Sequence, residues 1–303
     1  MIDNKHKDKR IAKPFVKWAG GKGSLVKQLT EYLPENFEDQ VDITYIEPFV
    51  GGGAMLFYML THHDNIRRAV INDVNKDLIY SYSLIKNNPH ALIDLLQKIH
   101  DEFHKNDSEE YKTRFYYHMR DRYNNDDFTS DERAACFIFL NKTCFNGLYR
   151  VNTKGKFNVP FGKKFNANIC DKDLLLIDHE LLKKVDIHSG NYGEMVNFIS
   201  DGYNFLYMDP PYRPLSGSPS FVEYTHKVFD DVEQENLKIY CDLLTEVGCK
   251  IMQSNSNSFD NNGEPYFYKL YEGYRIEQIQ AHRFINAHVG KREKETELII
   301  TNY

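Results

Sequence analysis

The sequence predicts an α/β fold: a parallel sheet with helices on both faces, interrupted by a mainly helical insertion that carries a β-hairpin. Three observations lead there. Short apolar runs near 43–47, 69–73, 184–188, 204–208 and 249–253 read as core strands. Helical segments fall between them, and alternation of strand and helix argues for a parallel sheet. From 76 the pattern turns helical and stays so until a ribbon-like stretch begins at 143.

The elements follow in order. An opening helix is expected from Ser24, as its cap, through Leu25, Leu29 and Leu33, ending at Pro34. The first strand runs into a glycine turn, Gly51-Gly52-Gly53, and a helix-like stretch from Ala54 to Leu60. After the strand ending at Asn72, Leu78, Ile79, Tyr82 and Ile85 share one helical face. Pro89 starts a helix with Leu92, Leu96, Ile99 and Phe103, and Thr129 with Glu132 forms a capping box. The hairpin is expected as 143–152, a turn at 153–156 and a return at 157–161. The sheet then resumes, with a helix around Gln234 to Leu244, and Arg275–Ala281 with Glu297–Tyr303 forms a closing hairpin at one edge. These elements divide the chain into 1–75, an insertion 76–183 with its hairpin at 143–162, and 184–303.

With 303 residues, 41% of them hydrophobic, the chain can bury a sizeable core as one large domain or two modest ones. Five cysteines, with no C-x-x-C pair, argue against a disulfide framework or zinc site and fit a reducing cytoplasm. His100, His104 and His118 have no cysteine or carboxylate cluster beside them, so no metal is expected. No apolar run approaches the roughly 20 residues that span a bilayer, and Met1–Arg10 lacks the apolar stretch of a signal peptide. The net charge of −6 weighs against a DNA partner, but its distribution does not. Between Asn141 and Cys170 there is no Asp or Glu, while Lys142, Arg150, Lys154, Lys156, Lys163 and Lys164 alternate with Phe145, Tyr149, Phe157, Phe161 and Phe165. Such a segment suits a nucleic-acid surface.

The tetrapeptide Asp209-Pro210-Pro211-Tyr212, directly after the apolar run 205–208, supplies what methylation of an exocyclic amine requires. The lone pair of an amino group on a base is delocalised into the ring. Two acceptors aimed at its N–H bonds, the Asp209 carboxylate and the Pro210 carbonyl, would draw it back, and Tyr212 offers a face on which an extruded base can stack. The glycine turn after Glu47 is the kind of site where nucleotide-like cofactors bind, and Asp73, about twenty residues on, suits ribose hydroxyls. Leu56 stands where a dinucleotide fingerprint wants its third glycine. Val16 and Gly23 rule out a phosphate-cradling P-loop.

With Pro14-Phe15-Val16-Lys17-Trp18-Ala19-Gly20-Gly21-Lys22 added, these motifs resemble, in order, the Dam-like DNA adenine-N6 methyltransferases, from about Pro14 to the C-terminus. The resemblance implies a Rossmann-like methyltransferase sheet, an inserted target-recognition unit, and S-adenosylmethionine as cofactor, converted to S-adenosylhomocysteine. By the same resemblance Trp18 and Lys22 contact the cofactor, Glu47, Gly51 and Gly53 frame it, Asp73 binds its ribose, and Asn191 and Tyr192 flank its adenine. Asp209 lies between methyl donor and base. The hairpin is similar to those of members that methylate GATC, at residues 146–150 and 158–162. Asn146 belongs to that pattern, and Phe145 stands where such enzymes carry an aromatic wedge. Arg150 is the expected guanine reader, Leu148 and Pro160 the thymine contacts. Lys163 replaces an arginine and can hold phosphate as a point charge only.

The expected protein is therefore a bacterial, cytoplasmic, nucleoid-associated monomer that flips adenine from double-stranded DNA, with a cognate restriction endonuclease as a candidate partner. Cytosine N4, an RNA base and a non-catalytic DNA-binding module are the alternatives. The basic stretch Arg283–Lys294 is a candidate phosphate clamp, and 254–257 a candidate lining of the base pocket.

Overall fold

The computed structural model describes residues 11–213, 229–260, 262–281 and 295–303; the stretches Met1–Arg10 and Arg283–Lys294 lie outside them. Seven strands form one sheet in the order β3-β2-β1-β4-β5-β7-β6. They are β1 (Ile43–Glu47), β2 (Ile66–Asn72), β3 (Val185–His188), β4 (Asn204–Met208), β5 (Lys250–Ser256), β6 (Arg275–Ala281) and β7 (Glu295–Thr301). The first five run parallel, and β7 and β6 close one edge as the expected antiparallel pair.

Strands β1 and β4 are buried along their whole length, because successive residues feed two different helical layers. Tyr45, Phe205 and Tyr207 pack into one apolar cluster, while Ile46, Leu206 and Met208 pack into another on the opposite face. The first cluster takes in residues of α1 (Val26–Thr30), α2 (Ala54–His62), α3 (Lys76–Asn87), α4 (Pro89–His104), α5 (Glu109–Asn124), α6 (Ser130–Thr143) and α7 (Lys172–Leu182). The second takes in α8 (Asp231–Glu246) and α9 (Tyr266–Leu270). Segment 76–183 thus shares its core with one face of the sheet. The Thr129–Glu132 capping box forms as the sequence predicts, and Pro89 opens α4 behind an Asn88 cap.

Two expectations need correcting. Ser24 caps nothing: α1 begins only at Val26, has no side-chain cap, and ends at Thr30 short of Leu33. The Lys22 carbonyl accepts hydrogen bonds from the amides of Leu25 and Val26, so the turn at Lys22 sets the start of this short helix. The ribbon is also less regular than a hairpin. Helix α6 continues to Thr143 and a 3-10 turn occupies Phe145–Gly147, so the arms meet only at isolated bridges, Cys144–Phe161 and Val151–Phe157. Side chains of α5 bind the outward-facing backbone groups of the return arm, while the amides of Asn158 and Asn152 still pair across to the carbonyls of Arg150 and Lys156. Asn124 bonds both backbone groups of Phe157, at 2.9 and 2.8 Å, and the Tyr116 hydroxyl donates to the Val159 carbonyl at 2.8 Å.

The glycine turn is shaped by the protein's own packing. Gly53 has φ of 75°, and a Cβ there would lie 2.4 Å from the Tyr82 hydroxyl, which donates to the Gly51 carbonyl at 3.0 Å. A Cβ on Gly51 would meet the Trp18 ring at 2.6 Å. Gly53→Ala should therefore lose about 1–2 kcal/mol to backbone strain alone, and more to the clash. Adding Tyr82→Phe, which removes the hydroxyl, should restore the clash component; urea midpoints for the two variants check this.

Candidate active site

The parallel strands deliver their C-terminal ends to one edge, where Glu47 ends β1 and Asp73, Gly190 and Asp209 follow β2, β3 and β4. Strand order reverses between β1 and β4, which is where open α/β sheets bind ligands. Because β7 is antiparallel and starts opposite the end of β5, with Glu297 beside Ser256, it brings Glu297 to the same edge.

Asp209 is joined there by Lys22. The Lys22 side chain is 4% exposed, and its Nζ lies 2.9 Å from Asp209 Oδ1 and 3.5 Å from Glu297 Oε2. It also donates to the Gly20 carbonyl at 3.2 Å and sits 4.4 Å from the centre of the Tyr212 ring. Tyr212 donates to Glu297 Oε2 at 2.9 Å. Burial pushes the Asp209 carboxyl up, the Lys22 ammonium pulls it back, and the Glu297 charge adds to the rise. The tetrapeptide is clamped from behind as well. Asn255 donates to Gln234, and Gln234 donates to the Pro211 carbonyl at 3.1 Å. Ser254 meets the Tyr207 hydroxyl and Ser256 donates to the Arg213 carbonyl, so residues 254–256 are buried supports behind the motif.

A second group gathers around Asp73. Its carboxylate accepts from the amides of Gly51 and Asn75 at 3.1 and 2.9 Å, which ties the glycine turn to the end of β2. Burial pushes it up to about 6 against those hydrogen bonds. Asn72 donates to the carbonyls of Pro48 and Gly190, and Ser189 donates to the Asp73 carbonyl, so the loop after β3 lies alongside. Within that loop Asn191 caps a 3-10 turn, and the Tyr192 ring rests 5.2 Å from Phe49. Glu47 stands between the two groups. It accepts from the Tyr45 hydroxyl at 2.8 Å and from the Leu56 amide, and burial holds its carboxyl well above the usual range.

The basic ribbon meets this edge through Trp18, which stacks on Tyr149 with ring centres 5.7 Å apart, and through Asn141. Asn141 bonds both backbone groups of Lys17, at 2.8 and 2.7 Å, and the Gly147 carbonyl at 3.1 Å. Phe145 is 52% exposed on the adjoining turn, with Asn146 and Pro160 exposed and Leu148 half-buried. Arg150 Nε donates to Asn158 at 2.8 Å, and Lys163 pairs with Glu109.

The alternation of aromatic and basic residues does not make a continuous surface. Phe157 and Phe161 are core, Tyr149 and Phe165 pack against it, and Phe145 alone of the five is exposed. Lys142 and Lys164 donate to the backbone carbonyls of Asn168 and Lys142. The order of residue types gave no hint that α5 and α6 cover the inner side of the ribbon. Glu297 and Gln234 were not foreseen either, since only the sheet order and the packing of α8 bring them to the tetrapeptide.

Comparison with known proteins agrees with this geometry. The family model of D12 class N6 adenine-specific DNA methyltransferases matches residues 18–285. The Type II methyltransferase M.MjaIII of Methanocaldococcus jannaschii is 45% identical over 96% of this chain and 99% of its own. The Type II methyltransferase M1.LlaDCHI of Lactococcus lactis subsp. cremoris is 38% identical over 98% of each. A DNA adenine methylase of Vibrio cholerae is 31% identical over 94% of each. With the Asp-Pro-Pro-Tyr motif at the end of β4 and a family match over most of its length, the chain belongs to the D12 class of N6 adenine-specific DNA methyltransferases.

Proposed function

We propose that the protein methylates N6 of an adenine extruded from duplex DNA, within GATC, with Asp209 and the Pro210 carbonyl as acceptors for the amine and Tyr212 as its stacking face. The convergence of Lys22, Asp209, Tyr212 and Glu297 at the switch point of the sheet carries the reading. The Gln234 hydrogen bond to the Pro211 carbonyl fixes the backbone just beyond the acceptor, which favours alignment over induced movement. Positive charge that develops on N6 is met by the Asp209 carboxylate.

S-adenosylmethionine, the methyl donor of this family, supplies when bound an electrophilic methyl on a sulfonium. The edge fits it: the Asp73 carboxylate suits ribose hydroxyls, and Phe49 and Tyr192 offer half-buried faces to an adenine beside the polar Asn191. Trp18 and Lys22 lie towards the catalytic end, with Gly51 and Gly53 holding the turn between.

Segment 76–183 serves as the recognition unit. Phe145 is the wedge beside the target. Asn158 holds Arg150 Nε, which orients the guanidinium towards guanine O6 and N7. Leu148 and Pro160 face a thymine methyl, Asn146 contacts the site beside them, and Lys163 leaves its exposed Glu109 partner for phosphate. GATC follows from the likeness of 146–150 and 158–162 to readers of that site. The type II names of two relatives are the support for a role beside a cognate endonuclease that shares the site; that the protein acts as a monomer in the cytoplasm is proposed with it.

Asp209→Ala should abolish methyl transfer to PCR-amplified genomic DNA while DNA binding stays near wild type; retained turnover rejects the role of Asp209. Mapping modified bases in that DNA tests GATC. Arg150→Ala should relax discrimination at one guanine by about 1–3 kcal/mol, whereas an equal loss on every sequence means that Arg150 holds only phosphate. A carboxylate that accepts from ribose must be ionised. Cofactor affinity should therefore be full only well above pH 6 and fall as the pH drops through about 6. Asp73→Asn should flatten that profile in calorimetric titrations.

A further inference from the structure

Lys22 occupies both places that the target base needs. Its ammonium is on Asp209 Oδ1, the oxygen offered to N6, and it lies over the Tyr212 ring, the face offered to the purine. An ammonium this buried must keep anionic or carbonyl partners. Gly20 supplies one, and Glu297 Oε2, at 3.5 Å, is close but longer than a charged hydrogen bond.

We propose that Lys22 is a built-in stand-in for the substrate amine, and that Glu297 is the positioning residue that receives it when the base arrives. This rests on the functional reading above. Shortening the 3.5 Å contact to a charged hydrogen bond takes a shift of about 0.6–0.8 Å. In the proposed handover that shift weakens the contact to Asp209 Oδ1 while Glu297 and the Gly20 carbonyl keep the ammonium paired. Glu297 already accepts from Tyr212, so the ring that stacks on the base and the carboxylate that takes the lysine move as a unit. With Asp209 and Glu297 ionised and Lys22 protonated, the group carries one net negative charge, complementary to the charge growing on N6. Remove the Glu297 charge and Lys22 is left on Asp209, masking it.

Single-turnover methylation of PCR-amplified genomic DNA tests the handover. Glu297→Gln should slow transfer about tenfold or more in the wild-type background, but about twofold or less when Lys22→Met is already present. Dissociation constants for cofactor and DNA should stay close to those of the parent in each pair. Equal losses in both backgrounds overturn the proposal, since Glu297 would then only anchor Tyr212. A crystal structure with S-adenosylhomocysteine and a duplex carrying the mapped site gives a second reading that needs no active variant. Lys22 Nζ should be nearer Glu297 than Asp209; an ammonium still on Asp209 Oδ1 with adenine seated overturns the handover. A wild-type protein that leaves adenine unmethylated fails the functional reading instead.

Discussion

A buried ammonium is the constraint around which this edge of the molecule is organised. Lys22 is 4% exposed, and transfer of its charge out of water is tolerable only where oxygen atoms replace the lost hydration. Those atoms come from Gly20, Asp209 and Glu297, three segments remote in sequence. Each is fixed by a different feature of the fold: the turn before α1, the end of β4 at the switch point, and the start of an antiparallel β7. Tyr212 is then positioned by the same carboxylate that faces the lysine. Supports on β5 and α8, which would be unexceptional polar residues elsewhere, hold the backbone of the tetrapeptide because its geometry has to match a charge that cannot move far.

The sequence made the parallel sheet legible because its strands are apolar on both faces and the intervening helices keep a clear period. Strands β1 to β5 fall where the apolar runs predict them, as do the Thr129 capping box and the closing pair β6 and β7. What was not legible is what depends on contacts between segments. Ser24 has the chemistry of a cap, yet the chain turns at Lys22 to serve the buried ion pair. The return arm of the ribbon has strand-like residues, but it pairs with its partner only at two isolated bridges, and Asn124 and Tyr116 on α5 bind its outer edge. At the candidate site Asp209, Lys22 and Tyr212 assemble from their motifs, whereas Glu297 is one of two acidic residues at the start of a strand and has no motif of its own until register places it opposite Ser256.

The glycine turn illustrates how one motif admits two physical explanations. Glycines after a strand let a ligand approach the backbone, and they also let large side chains pack against it. Here the Cβ positions of Gly51 and Gly53 are filled by Trp18 and Tyr82, so internal packing alone requires these glycines. That packing has a consequence for communication across the molecule. Trp18 touches the turn on one side and stacks on Tyr149 of the ribbon on the other, and Asn141 fastens Lys17 to Gly147. The strand end that carries Asp73 and the ribbon that carries Arg150 are therefore mechanically joined through residues 17 and 18.

The electrostatics of the edge explain how an acidic protein can act on a polyanion. Asp73, Asp209 and Glu297 converge on this edge with Lys22 as their near cation. A phosphate entering there would meet mostly negative charge at low dielectric, where repulsion is strong. A sulfonium and a neutral base would not. On the functional reading proposed above, the charge pattern therefore imposes a division of labour: the backbone of the duplex stays out at the ribbon, where acidic residues are lacking from 141 to 170, and only the uncharged base crosses into the crevice. Extrusion of the target is then a requirement of the electrostatics as much as of steric access.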